Sequence, residues 1–389
     1  MKRDTKIGHV GRRKEWTHGV VNPPVYHAST CLFETHAELH AAVKDPDAGL
    51  FYGRKGTPTT WALQDALLEL EGGDGCRLFS SGLAAVTTAI LAFVKPGDHV
   101  LITDSAYEPS RLFALGHLKR FGVETTFFDP LIGAGIADLM RETTKVVFLE
   151  SPGSLTFEVQ DIPAIAEVAH EGEAIVVVDN TWATPLFFNA FDHGADVVVH
   201  ACTKYISGHA DAMLGSAAAK GRAWPALRRA TYQLGHVAGP DDAYLGLRGL
   251  RTLGVRLERH EKNALQVAQW LAERPEVDRV LHPALPDCPG HDIWKRDFSG
   301  SSGLFSIVLK FGDYDTIGAM VDDMHLFKMG FSWGGYESLI LPANPAPDRT
   351  ARGWEAPGPL LRLHIGLEDP ADLIAELEEA LVRYAAAAA

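Results

Sequence analysis

The 389-residue sequence has few cysteines, no long apolar run and a deficit of positive charge, and each shortage excludes a class of protein. Its four cysteines, Cys31, Cys76, Cys202 and Cys288, form no CxxC pair, which argues against a disulfide framework or zinc ribbon and favours a reducing compartment. No stretch of 18 apolar residues occurs, and no apolar segment follows the basic start, so we expect a cytoplasmic protein. A net charge of −14 disfavours nucleic-acid and anionic-membrane partners.

The hydrophobic content of 46% is that of a globular protein long enough for two domains. Residues 1–55, with few periodic runs, suggest an extended arm that contacts a neighbouring subunit. Residues 56–250 alternate helical stretches with β-branched runs at 99–104, 123–129, 145–150, 174–179 and 196–201, which predicts a mostly parallel, doubly wound α/β sheet. Residues 251–389 predict a smaller α+β domain, entered through one long helix at 240–273 and containing strands at 301–311 and 360–366 and a helix at 369–384.

Two polar residues follow neighbouring predicted strands, where the ligands of open α/β sheets bind. Asp179 ends the run AIVVVD, and Lys204 lies just past the run DVVVHA. A carboxylate and a lysine at adjacent strand ends suit pyridoxal phosphate, which needs a covalent lysine partner and an acid at its ring nitrogen. The ordinary alternatives are a solvated lysine and a turn or N-cap aspartate.

A third feature is the segment LFSSGLAAV, which predicts a short strand, a tight turn and a helix. The amides of Gly82 and Leu83 would then point from a helix N-terminus at an anion such as phosphate. A plain serine N-cap with no ligand is the alternative.

The chain resembles the Cys/Met-metabolism pyridoxal-phosphate enzymes through eight segments in one order. They are FYGRKGTPT (51–59), SSGLAAV (80–86), DSAYEPS (104–110), ESPGS (150–154), VDNTWATP (178–185), TKYISGHADAM (203–213), SWGGYESL (332–339) and RLHIGLE (362–368). The resemblance implies the fold type I, aminotransferase-like α/β fold of PLP-dependent transferases, with pyridoxal 5′-phosphate as cofactor and no metal. It also implies a homotetramer built as a dimer of dimers with shared active sites.

The resemblance assigns roles to individual residues. Lys204 matches the lysine that binds the cofactor covalently, Asp179 the partner of its ring nitrogen, and Tyr107 the tyrosine that stacks on its ring and takes part in catalysis. The residues that match phosphate contacts are Gly82, Leu83 and Thr203 in the same chain, and Tyr52 and Arg54 supplied by the adjacent subunit. Arg362 matches the clamp on the substrate carboxylate. Ala201 replaces a serine of several relatives, so one phosphate hydrogen bond is expected to be missing.

Within the family, the segment 331–339 resembles that of the cystathionine β-lyases. Phe331 precedes Ser332 and Trp333 where the γ-enzymes commonly carry glutamate before SLGG. This branch implies α,β-elimination of L-cystathionine to homocysteine, pyruvate and ammonia, a transsulfuration step of methionine biosynthesis, with activity on other cysteine S-conjugates. Ser332, Trp333 and Tyr244 are then candidate substrate contacts, the last two for the distal end of cystathionine.

Other functions remain open at this point. A γ-lyase, γ-synthase or methionine γ-lyase of the same family is the nearest alternative, and a non-catalytic PLP-binding regulator is an alternative of another class. An NAD-dependent oxidoreductase is disfavoured because Gly133 and Gly135 lack the third glycine, Asp138 standing in its place. His36 and His40 are expected to be a surface pair. Cys202 is expected to fill space near the cofactor rather than to react.

Overall fold

The computed structural model describes residues 1–388. Their strands form two β-sheets, one of seven strands and one of four. The strands of the larger sheet are β1 Gly75–Phe79, β2 His99–Thr103, β3 Glu124–Phe128, β4 Thr144–Glu150, β5 Ile175–Asp179, β6 Val197–His200 and β7 Gly215–Ala219. Those of the smaller sheet are β8 Val277–Leu281, β9 Leu304–Leu309, β10 Leu339–Ala343 and β11 Leu360–His364.

Helices cover and connect these sheets. They are α1 Arg3–His9, α2 Lys14–Thr17, α3 His36–Lys44, α4 Pro58–Glu71, α5 Gly82–Leu91, α6 Glu108–Phe113, α7 Ile162–Glu171, α8 Thr184–Phe187, α9 Ala223–Leu234, α10 Pro240–Leu250, α11 Leu253–Ala272, α12 His291–Asp297, α13 Gly318–Val321 and α14 Pro370–Ala388. A π-helical turn, Ala114–Leu118, continues α6, and short 3-10 turns lie at Gly53–Lys55, Gly133–Leu139, Ala190–His193 and Ala346–Asp348.

The larger sheet has the strand order β1-β7-β6-β5-β4-β2-β3. The strands from β6 through β3 pair in parallel, whereas β7 runs antiparallel to both β1 and β6. The prediction of a mostly parallel α/β sheet is therefore confirmed. The sequence pattern does not predict β7, because the small side chains of its segment GSAAA carry no β-branched or aromatic signal.

Burial explains why the central strands are continuous apolar runs. Every residue of β2 and β6 is buried, as expected for strands covered by helices on both faces. β5 is buried up to its last residue, Asp179, and β4 is buried from Val146 to Leu149, whereas Glu150 and Asp179 at the strand ends are only half-buried. The polar ends of these strands consequently mark the edge of the sheet at which a ligand can bind.

The smaller sheet is antiparallel, in the order β10-β11-β9-β8. Its core contains Leu271 of α11, Phe305 of β9 and Leu377 of α14. The first turns of α11 pack instead into the core of the larger sheet, through Leu253 and Leu257. The domain boundaries at residues 55 and 250 stay a prediction, and α11 contributes to both cores.

Two expectations about connecting segments were wrong. The predicted helix at 240–273 is interrupted between α10 and α11, because the Gly249 carbonyl accepts from the Thr252 amide at 3.1 Å and from the Arg256 guanidinium at 2.8 Å instead of continuing the helical ladder. Residues 1–55 are not simply extended. They contain the helices α1, α2 and α3. Ile7 and Val10 are buried in the larger core, because removing apolar side chains from water is favourable.

Candidate active site

A cavity of about 340 Å³ opens at the carboxyl-terminal edge of the parallel strands. Because parallel strands end at one edge of a sheet, residues distant in sequence meet there. The lining residues are Ser81, Gly82, Leu83, Tyr107, Glu150, Pro152, Gly153, Ser154, Leu155, Phe157, Asp179, Thr181, Trp182, Ala201, Thr203, Lys204, Met213, Leu304, Phe331, Ser332, Trp333 and Arg362.

Lys204 lies in the turn after β6, and its amide donates to the Ala201 carbonyl at 3.0 Å. Its Nζ donates to Ser332 Oγ at 2.6 Å and lies 5.4 Å from the centroid of the Trp333 ring. Burial, assisted by the Arg362 cation and opposed by Asp179, lowers the pKa of the Lys204 amine to about 8. An amine with this pKa is unprotonated far more often near neutral pH than an ordinary lysine, so it can act as a base or nucleophile.

Asp179 ends β5, with its carboxylate held by Thr181. Its Oδ1 accepts from the Thr181 amide at 2.9 Å and from the Thr181 hydroxyl at 2.5 Å, and that hydroxyl accepts from the Ala201 amide at 2.8 Å. Burial raises the pKa of the Asp179 carboxyl, while the two Thr181 hydrogen bonds oppose the rise. Thr181 therefore fixes Asp179 and links the ends of β5 and β6.

Glu150 ends β4 and stands beside Asp179, with which it is in register across the two strands. Its Oε2 accepts from the Tyr107 amide at 2.7 Å. Burial and, secondarily, the charge of Asp179 raise the pKa of the Glu150 carboxyl well above its usual range. The cavity thus holds two neighbouring carboxyl groups, one of which anchors the backbone of Tyr107.

The N-terminus of α5 faces the same cavity. Ser81 caps the helix, its Oγ accepting from the Ala84 amide at 3.1 Å and its carbonyl from the Ala85 amide at 3.2 Å. The amides of Gly82 and Leu83 precede these capped positions and point out of the helix end, an arrangement that favours an anion. A β-carbon on Gly82 would lie 2.5 Å from the Ala201 β-carbon, so glycine is required for this close approach.

Arg362 reaches the cavity from β11 of the smaller sheet. Its Nη2 donates to the Ser332 carbonyl at 3.1 Å. Burial lowers the pKa of its guanidinium to about 10, with Tyr107 opposing the change, so the side chain stays cationic near neutral pH. A half-buried guanidinium of this kind can bind a carboxylate through two hydrogen bonds.

Comparison with known proteins shows which family has this site. A model of the family described as Cys/Met metabolism PLP-dependent enzyme matches residues 4–382. The chain belongs to this family. The predicted family, fold and cofactor are thereby confirmed.

Individual relatives of the family match over nearly their whole length. The chain is 50% identical over 389 residues to cystathionine beta-lyase MetC of Escherichia coli and 50% identical over 388 residues to the cystathionine beta-lyase of Salmonella typhimurium, with 98% of each chain covered in both cases. It also matches the solved structure of cystathionine gamma synthase from Xanthomonas oryzae pv. oryzae with a TM-score of 0.90 at 32% identity, covering 100% of this chain and 99% of that chain.

The residues of the cavity fit the cofactor that defines the family. Pyridoxal phosphate needs an amine for its carbonyl, an acid for its ring nitrogen and an anion site for its phosphate. Lys204, Asp179 and the N-terminus of α5 offer these groups around one cavity. Thr203 also lines it, but its hydroxyl bonds with the Leu214 carbonyl at 3.2 Å and accepts from the Leu214 amide at 2.9 Å. We expect Thr203 to contribute less to phosphate binding than the helix amides.

Three of the predicted site residues do not line this cavity. Tyr52 is 42% exposed, and Arg54 lines a separate small cleft in which it donates to the Tyr232 carbonyl at 3.1 Å. Tyr244 lies on α10 and lines neither the cavity nor the small cleft. Within one chain, therefore, these residues do not meet the rest of the site.

The structure adds residues that sequence reasoning missed. Glu150 ends the run KVVFLE just as Asp179 ends AIVVVD, so the same strand-end reasoning would have found it. Thr181 could have been found only from its position two residues after Asp179, which is a weaker indication of a site residue. His364, whose Nε2 accepts from the Gly334 amide, had no chemical signal of its own, because a buried histidine in a strand is usually structural.

The histidine pair, the segment 133–135 and Cys202, which the sequence analysis also considered, have ordinary structural roles. His36 and His40 are exposed and stacked on α3, and residues 1–388 contain no cluster of three possible metal ligands. Gly133 and Gly135 belong to a 3-10 turn rather than to a helix N-terminus. Burial raises the pKa of the Cys202 thiol to about 12, which suits a space-filling side chain. No helix within residues 1–388 is both long and apolar enough to cross a membrane.

Proposed function

We propose that this protein is a cystathionine β-lyase, which converts L-cystathionine and water into L-homocysteine, pyruvate and ammonia. The observation that carries the proposal is the near-complete similarity to cystathionine beta-lyases at 50% identity, against 32% to the γ-synthase structure. The position of Phe331 agrees with it. This side chain lines the cavity and is 90% exposed, where the γ-enzymes commonly present glutamate.

Arg362 and Asp179 prepare the site for this reaction. When bound, pyridoxal phosphate supplies an electron sink for negative charge at the substrate Cα. Asp179, kept in place by Thr181, would hold the proton on the ring nitrogen. Arg362 would bind the substrate α-carboxylate and so orient the Cα–H bond toward Lys204.

Lys204 moves the protons in this proposal. Its amine, with a lowered pKa, removes the Cα proton as general base. The Cβ–S bond then breaks and the thiolate leaves with a proton from Lys204 or from Tyr107. Burial and the nearby Glu150 raise the pKa of the Tyr107 phenol, against Arg362, so this phenol keeps its proton near neutral pH and can donate it.

We also propose that the enzyme is a cytoplasmic homotetramer, a dimer of dimers with shared sites. Tyr52 and Arg54 would then complete the cofactor site of a neighbouring subunit, which agrees with their position away from their own cavity. The arm of residues 1–55 exposes apolar side chains such as Leu32, at 89%, that another subunit would cover. The free thiols suit a reducing compartment.

The test is to identify the keto acid formed from L-cystathionine by the purified enzyme. We expect pyruvate and homocysteine in equal amounts, and none from the Lys204→Ala variant. Lys262→Ala, an exposed change on α11, is the matched control and should keep full activity. Formation of 2-oxobutanoate as the main product would instead indicate a γ-lyase, and bound cofactor without turnover would indicate a regulatory protein.

A further inference from the structure

The strand β11 presents two side chains to the active-site segment 332–335. Arg362 and His364 are two residues apart, so they share one face of the strand. Arg362 donates to the Ser332 carbonyl at 3.1 Å, and the Gly334 amide donates to His364 Nε2 at 3.1 Å. The segment is therefore tied to β11 at two points, one between two cavity-lining residues and one between residues that do not line the cavity.

This segment has a backbone conformation that needs such support. Ser332 has φ +88° and Gly334 has φ +90°. Positive φ is unfavourable for a residue with a β-carbon and persists only where the surroundings hold it. A β-carbon on Gly334 would lie 2.8 Å from the backbone carbon of Lys204, so the segment presses directly on the lysine turn.

His364 is suited to hold the segment because both ring nitrogens are used. Its side chain is 1% exposed, and its Nδ1 donates to the Glu337 carbonyl at 3.0 Å. With the proton on Nδ1, Nε2 has a lone pair for the Gly334 amide.

Burial and nearby positive charges favour the neutral form of His364. Burial is the main cause that moves its pKa well below the usual value, with His260, Arg362 and Lys204 acting in the same direction. The Glu337 carbonyl is the opposing group. The lowered pKa favours the neutral ring, whose Nε2 can accept from the Gly334 amide.

We propose that His364 is a positioning residue. Its hydrogen bond to the Gly334 amide keeps the Ser332 hydroxyl within hydrogen-bond distance of the Lys204 amine. The Nζ to Oγ distance of 2.6 Å is the contact that it maintains, and Trp333, whose ring lies 5.3 Å from that of Tyr205, is held with it. This inference rests on the proposed function, because His364 acts through Lys204. It requires that Lys204 is the catalytic lysine, but it does not depend on which substrate the enzyme uses.

Two similar substitutions separate the two hydrogen bonds of His364. In His364→Gln the amide oxygen reaches the place of Nε2 and can still accept from Gly334. In His364→Asn the shorter side chain reaches only the place of Nδ1, so it keeps the bond to Glu337 and loses that to Gly334. We expect His364→Gln to stay within about threefold of wild-type kcat and His364→Asn to lose about 100-fold, the order of effect of a 1 Å displacement of a catalytic group.

The visible absorbance of the bound cofactor gives a second readout that needs no substrate. Its pH titration reports on the surroundings of Lys204, and we expect the midpoint to move in His364→Asn but not in His364→Gln. If cystathionine were not the substrate, turnover would be absent in all forms including wild type, while this spectral difference would remain. Equal kcat values and equal midpoints in the two variants would overturn the proposal.

His282 provides the control for a general loss of stability. It is fully buried, its Nδ1 accepts from the Ala284 amide at 3.1 Å, and it does not line the cavity. We expect His282→Asn to lower the melting temperature while leaving kcat and the spectral midpoint unchanged. If His282→Asn reproduced the kcat loss of His364→Asn, the effect would be one of folding, and the proposal would be wrong.

Discussion

Glu150 and Asp179 stand opposite each other at the ends of neighbouring parallel strands, so two carboxyl groups share one wall of the cavity. Two such groups resist simultaneous ionisation, and burial raises the pKa of each. Asp179 has two hydrogen-bond donors from Thr181, whereas Glu150 accepts from the Tyr107 amide. We infer that Asp179 carries the negative charge of the pair and Glu150 the proton.

The first prediction concerns the stability of the cofactor-free protein. A carboxyl whose pKa is raised by folding weakens the fold as the pH rises from its unfolded value, near 4.3, toward its folded value. Glu150→Gln removes this penalty and keeps an oxygen for the Tyr107 amide. We expect the excess of its melting temperature over that of wild type to be smallest at low pH, below the unfolded pKa, and to grow to about 2 °C at pH 8. Glu142→Gln, on the surface, is the control, and a lower melting temperature of Glu150→Gln at pH 8 would contradict the prediction.

The second prediction concerns the basicity of Lys204. Because burial and Arg362 lower the pKa of its amine to about 8, the amine should react at much lower pH than an ordinary lysine. We expect acylation of Lys204 in the cofactor-free enzyme, followed by peptide mass spectrometry, to be half-maximal near pH 8. A free lysine derivative acylated in the same reaction is the reference and should need a pH about two units higher. In Arg362→Met the midpoint for Lys204 should rise, and an unchanged midpoint would contradict the role of Arg362.

The third prediction concerns a buried charge cluster next to the Tyr107 loop. Asp104 accepts from Arg111 at 2.8 Å, from the Thr350 hydroxyl at 2.9 Å and from the Ala351 amide at 2.8 Å, so the segment after β10 is fastened to the loop after β2. Burial acts to raise the pKa of the Asp104 carboxyl, but these hydrogen bonds outweigh it and lower the pKa.

Removing the Asp104 charge leaves Arg111 buried without its ion-pair partner. We expect Asp104→Asn to lower the free energy of unfolding by about 3–5 kcal/mol, measured by urea denaturation. The exposed pair of Arg141 and Glu124 is the comparison, and Glu124→Gln should cost about 0–1 kcal/mol. An equal decrease in the free energy of unfolding for the two substitutions would contradict the prediction that the buried ion pair stabilises the fold more than the exposed one.

The fourth prediction tests the shared active site. Chains carrying Tyr52→Phe and Arg54→Leu should be inactive alone, as should Lys204→Ala chains. If the arm serves a neighbour, mixed dimers contain one intact site, and random mixing should restore about a quarter of wild-type activity. Mixing Lys204→Ala with Asp179→Ala chains is the control, because both residues lie in one cavity and no intact site can form. No recovery in the first mixture would count against a shared site.

Sequence reasoning was most successful where a signal is local. The five β-branched runs became β2 to β6 nearly at their predicted bounds, because burial on both faces of a parallel sheet demands such runs. Placing Asp179 and Lys204 at one edge followed from the same pattern. The GSAAA strand β7 and the break between α10 and α11 were missed, since packing against other segments determines both.

The sequence by itself determined the family, the cofactor and the positions of strands β2 to β6 along the chain, because strand runs, strand-end residues and turn motifs are each made of consecutive residues. Only the tertiary structure decided which distant groups meet. Lys204 and Ser332 are 128 positions apart, yet their side chains are in contact because β11 carries Arg362 and His364 to the segment that presses on the lysine turn. Such contacts depend on how two separate sheets pack together, and no periodicity in the sequence records that packing.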